Sequence, residues 1–258
     1  MVFVLSGCES LKTYYTSRVT KVIDGDTIDV IYDGAETSVR YIGMDAPETH
    51  SGSDKPIGEY GEKAYEFNKN LINSANDEVH LEFDKERYGN YGRLLAYVYV
   101  DENGTDVMLN SLLLKNGLAW PLTYTESSKH TKEFWADYRY AYMHRLGLFS
   151  AYDTATTVNA SAVDERLWSY RDGGYLGKIA WVKFGPVTYS ENSYSVTLSS
   201  TYFSVTIRKP ELGEFATPIK DLYAGKNLKV YGEVWEKNGK GEMLLHAPFE
   251  IKIMEGKR

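Results

Sequence analysis

The chain has 258 residues, 43% of them hydrophobic and 25% charged, enough to bury a substantial core in one or two domains. Its formal net charge is −7: residues 9–150 carry 15 Lys and Arg against 23 Asp and Glu, and residues 151–258 carry 14 against 13. That balance excludes strong non-specific attachment to a polyanion by counterion release, and the single cysteine excludes an intramolecular disulfide.

In chain order, the first feature is Leu5-Ser6-Gly7-Cys8, which resembles the bacterial lipobox and marks Cys8 as a candidate lipidation site. Residues 1–17 then read as a truncated signal with its tether, and a lipid anchor at Cys8 is the only membrane attachment implied. The apolar run is shorter than the ~7–15 residues of a working signal core and lacks a basic flank, so an incidental cysteine on a frayed end is the competing reading. The anchor predicts an extracellular protein held at the outer face of the cell membrane, with a cytoplasmic protein as the alternative. No stretch is long enough to span a bilayer as a helix.

Three strands follow at 18–23, 27–32 and 37–42, each alternating apolar and polar residues and separated by Gly-containing turns. Ala64, Phe67, Leu71 and Ile72 recur at helical spacing and predict a helix over 60–73. Two more strands are predicted at 79–83 and 93–100. Helices are predicted at 107–115, stopped by Asn116-Gly117, and at 132–145, stopped by Gly147. Between Glu48 and the first helix, residues 49–57 read as a mobile loop with Lys55 as a solvated lysine, or alternatively one that touches a phosphate. Residues 151–163 are small and polar and read as a linker.

Beyond the linker, residues 164–258 are predicted as an all-β domain with strands at 177–183, 194–199, 203–208, 227–236 and 242–253. Gly225-Lys226 before an alternating apolar run looks like the entry to the fourth strand of a small OB-fold domain, so a second OB-like barrel is expected. An immunoglobulin-like sandwich is the alternative. Trp181, Tyr194, Tyr202 and Phe203 are candidates for stacking single-stranded bases, against the plainer reading that they fill a β core.

Chemistry concentrates in three short segments of the first domain: Asp24-Gly25-Asp26-Thr27, then Arg40 through Glu48, then Tyr91-Gly92-Arg93. Aspartates offer the oxygen ligands a hard divalent cation takes. Arginine's planar fork grips phosphate oxygens and stabilises charge developing on them. A third carboxylate can orient or deprotonate water. Each segment alone reads as an ordinary turn or surface group; five charged groups in one ordered set point to cleavage of a phosphodiester.

In order and spacing these residues resemble the thermonuclease (staphylococcal nuclease) family over about residues 19–150. Asp26 stands fourteen residues before Arg40 and nineteen before Asp45, and the Arg145–Ser150 stretch also matches. The resemblance implies a five-stranded OB barrel with helices over 18–150 and an α+β fold overall. It implies Asp26, Asp45 and the Ala46 carbonyl as Ca²⁺ ligands, and Glu48 as general base or water positioner. Arg40 and Arg93 would hold the scissile phosphate, with Tyr91 a substrate-binding candidate. The implied activity is Ca²⁺-dependent cleavage of DNA and RNA to 3′-phosphate products; a non-catalytic nucleic-acid- or protein-binding module is the alternative. The acidic balance predicts weak substrate affinity and marked metal dependence. No protein partner is inferable.

Overall fold

The computed structural model describes residues 14–50, 55–89, 91–123, 127 and 129–254. Cys8 and its neighbours lie outside the described residues.

In the first half, β1 (Tyr15–Val22), β2 (Thr27–Tyr32) and β3 (Ala35–Tyr41) form an antiparallel meander. Its second turn is Asp33-Gly34, both at positive φ (49° and 81°), as a two-residue type I′ hairpin requires. That turn locks the register from Tyr32↔Ala35 through to Thr27↔Arg40, so Arg40 arrives beside Asp26. The chain continues through the two-residue β4 (Met44–Asp45) and α1 (Gly61–Ser74) to β5 (Glu78–Glu82) and β6 (Leu94–Asp101). β5 pairs with β1 and β6, and β6 runs parallel to β3, closing a five-stranded barrel in the ring order 1-2-3-6-5-1. This is the OB topology expected from the sequence.

The remaining elements of this half are β7 (Asp106–Met108), α2 (Leu109–Lys115), β8 (Trp120–Pro121) and α3 (Thr131–His144). The helix predicted over 107–115 therefore begins as a strand, because residues 106–108 take an edge of the sheet against β6. α1 buries Gly61, Ala64, Asn68 and Ile72, the three-to-four spacing of a helix face.

The stretch 151–163, expected to be a linker, is folded. Tyr152 is buried, β9 (Thr157–Asn159) runs parallel to the next strand, and α4 (Ala160–Asp164) buries Ala160 and Val163. Its small side chains suit close packing, which composition alone does not separate from flexibility.

The second half is a barrel of the same order. β10 (Ile179–Phe184) and β11 (Thr188–Glu191) are two limbs of one bent strand, followed by β12 (Ser195–Ser199) and β13 (Phe203–Arg208). A connection through α5 (Ile219–Tyr223) leads to a second bent strand, β14 (Leu228–Glu233) and β15 (Trp235–Lys237), and then to β16 (Lys240–Leu244) and β17 (Ile251–Ile253). β14 pairs with β10, β11 with β12, β12 with β13, β13 in parallel with β16, and β16 with β15. Bent strands let two sheets close one ring, the OB arrangement and not a sandwich. Tyr194, placed in a strand by its sequence, lies in the turn before β12. Among the described residues no helix is long and apolar enough to cross a membrane.

Each barrel has its own core, the second built on Val182, Leu198, Phe203, Val205, Val230 and Met243, and the two meet at an apolar seam. Ile179, Trp181, Tyr231 and Ala247 of the second half belong to the same apolar cluster as the first barrel and α3. Trp181 Nε1 donates to the Tyr152 carbonyl at 2.7 Å, and Tyr231 donates its hydroxyl proton to the Leu148 carbonyl at 2.8 Å. At the seam Gly177 accepts from the Glu59 N–H at 2.7 Å, and Glu59 accepts from the Ile179 N–H at 3.0 Å.

Candidate active site

Asp26 closes the loop between β1 and β2. The Asp24 carboxylate accepts from the Asp26 N–H at 2.9 Å, and the Asp26 carbonyl accepts from the Tyr41 N–H at 2.9 Å, so the backbone is fixed on both sides. Asn68 on α1 braces the same turn, donating to the Asp24 carbonyl at 3.3 Å and accepting the Tyr41 hydroxyl proton at 2.9 Å. Sequence reading passed over Asn68. Its signal was a polar residue on the stripe of Ala64 and Ile72.

The Asp26 carboxylate is buried, with Arg40 Nη1 at 2.7 Å and the Ala46 N–H at 2.6 Å on Oδ2, and the Thr27 hydroxyl donating to Oδ1 at 3.0 Å. Burial pushes its pKa up; the Arg40 guanidinium opposes this, while Asp24 and Asp45 add to it. Arg40 spans to the second aspartate, placing Nη2 2.5 Å from Asp45 Oδ1. Asp45 is held in place by the β4–β8 ladder, in which it faces Trp120.

Lys55 does not point into solvent as expected. Its Nζ donates to both Asp45 oxygens at 2.7 Å and stands 3.7 Å from Glu48 Oε1. Burial would raise the Asp45 pKa, but Lys55 and Arg40 hold it below the ordinary carboxylate range. Glu48 is half-buried and raised, mainly by burial. Its backbone is tied to Gly58, whose N–H donates to the Glu48 carbonyl at 2.9 Å.

Asp26, Arg40, Asp45, Glu48 and Lys55 thus converge. Ala46 joins them through its N–H. Arg93 precedes β6, which runs beside β3 with Leu95 opposite Arg40. It is half-buried, with its guanidinium 5.8 Å from the ring of Tyr91, which is exposed. Among the described residues no ion pair joins Arg93 to the carboxylates. Of the proposed stacking aromatics, Trp181 and Phe203 are buried in cores and unavailable, whereas Tyr194 and Tyr202 are exposed.

The donor set is oxygen only, which suits a hard cation such as Ca²⁺ and equally admits Mg²⁺ or Mn²⁺. The Lys55 ammonium, drawn in among the carboxylates, shows that the pocket attracts positive charge. Among the described residues no three carboxylates or imidazoles are already spaced around a common point; Arg40 and Lys55 lie between them.

The second barrel reaches this site. Glu233, Trp235 and His246 line an opening with Asp45 and Trp120. Nothing in the sequence signalled that these residues, nearly two hundred positions from Asp45, would do so.

Residues 38–151 match the family described as "Staphylococcal nuclease homologue". Endonuclease YncB of Bacillus subtilis (strain 168) is 42% identical over 132 residues, covering 50% of this chain and 59% of YncB. Thermonuclease of Staphylococcus hyicus is 41% identical over 115 residues, covering 45% of this chain and 64% of the thermonuclease. This chain therefore spans less than two thirds of either. Uncharacterized protein MJ1439 of Methanocaldococcus jannaschii is 30% identical over 154 residues, 53% of this chain and 72% of that protein.

Proposed function

The chain belongs to the staphylococcal nuclease homologue family through residues 38–151, and on that premise we propose that it is a metal-dependent nuclease hydrolysing DNA and RNA to 3′-phosphate products. The observation that carries this is the convergence of Asp26, Arg40 and Asp45, with Arg40 2.7 Å from one aspartate and 2.5 Å from the other and Glu48 alongside.

Asp26, Asp45 and the Ala46 carbonyl would hold Ca²⁺, which when bound supplies charge neutralisation at the phosphoryl group and lowers the pKa of water. Glu48, half-buried with a raised pKa, takes a proton from the attacking water. Arg40 and Arg93 hold the phosphoryl oxygens, with Arg93 nearer the departing 5′-oxygen. Tyr91 flanks Arg93 on the substrate side. A lipid on Cys8 and an extracellular location complete the proposal.

The test is hydrolysis of single-stranded DNA and RNA with Ca²⁺, with EDTA, and by Glu48→Gln and Arg93→Ala. EDTA should abolish cleavage. Glu48→Gln should lose about 10²–10⁴-fold and Arg93→Ala about 10²–10³-fold in kcat, with the fold intact by circular dichroism. Absence of cleavage with any divalent ion would leave a nuclease scaffold used for binding.

A further inference from the structure

Trp235 opens β15 on the second barrel, outside the matched residues 38–151. Its indole Nε1 donates to Glu233 Oε2 at 2.6 Å. Glu233 is 5% exposed and packs where a Cβ on Gly58 would strike it, so the group anchoring the indole is itself immobilised. Backbone pairing with Glu242 fixes the other side. The ring is only half-buried.

The centre of the Trp235 ring is 5.6 Å from Lys55 Nζ, which is 2.7 Å from both Asp45 oxygens. The indole therefore stands one ammonium group away from the carboxylates. Trp120 and His246 complete the wall, their rings stacked at 6.0 Å and 17°. Glu233 Oε1 packs against Gly58 and His246 Nδ1 stands 3.8 Å from Glu250 Oε1, so both atoms are enclosed by protein and brace the wall behind the ring.

A fixed, half-open indole 5.6 Å from the ammonium that caps the carboxylates matches a nucleobase. Bases stack on aromatics regardless of their identity, and their edges carry donors and acceptors. We propose that Trp235 is the stacking platform for the nucleobase adjoining the scissile phosphate, so that the second barrel helps hold substrate at a centre built by the first. This rests on the nuclease reading above.

The decisive experiment measures binding of a fluorescein-labelled single-stranded DNA octamer, and of an all-abasic strand of equal length, by anisotropy with Ca²⁺. The protein is the full chain carrying Glu48→Gln, so that the strand persists. Trp235→Ala should weaken octamer binding by about 5- to 150-fold and leave abasic binding unchanged, erasing the preference for bases. Trp235→Phe should restore most of it, which separates stacking from damage to the fold. Equal preference for bases with and without Trp235 overturns the proposal. If the wild-type chain cleaves nothing, the nuclease reading falls, and the same binding comparison still decides whether Trp235 stacks bases.

Discussion

Lys55 occupies the position a divalent cation would be drawn to, 2.7 Å from both Asp45 oxygens and 3.7 Å from Glu48. A metal ion binding those carboxylates must displace an ammonium already compensating them, and charges this close interact by several kcal/mol at the effective dielectric of a protein surface (about 4 kcal/mol at 4 Å). Lys55→Gln is therefore expected to bind Ca²⁺ about tenfold more tightly by isothermal titration calorimetry. Affinity unchanged or weakened would show that Lys55 supports the metal site instead of competing for it. Asp26, Arg40, Asp45 and Glu48 were legible in the sequence because the chemistry dictates their residue types and short loops dictate their spacing. Lys55 was not, since a lysine in a Gly- and Ser-containing loop has no local pattern to distinguish a carboxylate partner from water.

The seam between β14 and the loop of Pro47 and Gly58 shows how one element disciplines another. Glu233 ends β14 inside this seam, where a Cβ at Gly58 would collide with Glu233 Oε1 and lie 2.5 Å from the Pro47 Cβ. Burial pushes the Glu233 carboxyl up to about 8; the Trp235 N–H and Lys55 pull it down, and Asp45 and Glu48 push it further up. A carboxyl raised in the folded chain holds its proton more tightly there than in the unfolded chain, where its pKa is about 4.3. Its contribution to stability is complete below that value and is lost as pH rises toward about 8. Urea denaturation should show the wild type losing about 4 kcal/mol relative to Glu233→Gln between about pH 5 and pH 8; parallel behaviour of the two would mean that Glu233 is ionised in its seat. Most strands of both barrels were readable from alternation and Gly-containing turns, but β11 was not. What alternation missed were the bends: 227–236 reads as one strand and is two limbs, because the ring must pass from one sheet to the other.

At the scale of the molecule, two barrels of one topology are fused through a common apolar cluster containing Phe149 and Tyr152 from one side and Trp181 and Tyr231 from the other. Phe149 and Tyr231 stack at 6.2 Å, and Tyr152 meets Trp181 at 4.9 Å. The second barrel keeps a separate core, but an apolar seam of this kind couples the unfolding of the two halves, unlike domains joined by a flexible linker. The full chain should therefore show a single urea transition, coincident by far-ultraviolet circular dichroism and tryptophan fluorescence. Two resolved transitions would show that the shared cluster does not couple the halves.

Strand and helix spacing determined, by themselves, most of the elements of the first half and the β character of the second, and the ordered charged motifs carried the family resemblance that implied the barrel and the carboxylate–arginine set. These are local or short-range properties, written in periodicity and in the residue types a phosphodiester demands. Only the tertiary structure decided that 151–163 is packed, that Lys55 turns onto Asp45, and that Glu233, Trp235 and His246 stand at the rim of the site. Each of those depends on surfaces meeting across long sequence separations, where burial and shape complementarity act and no spacing rule operates.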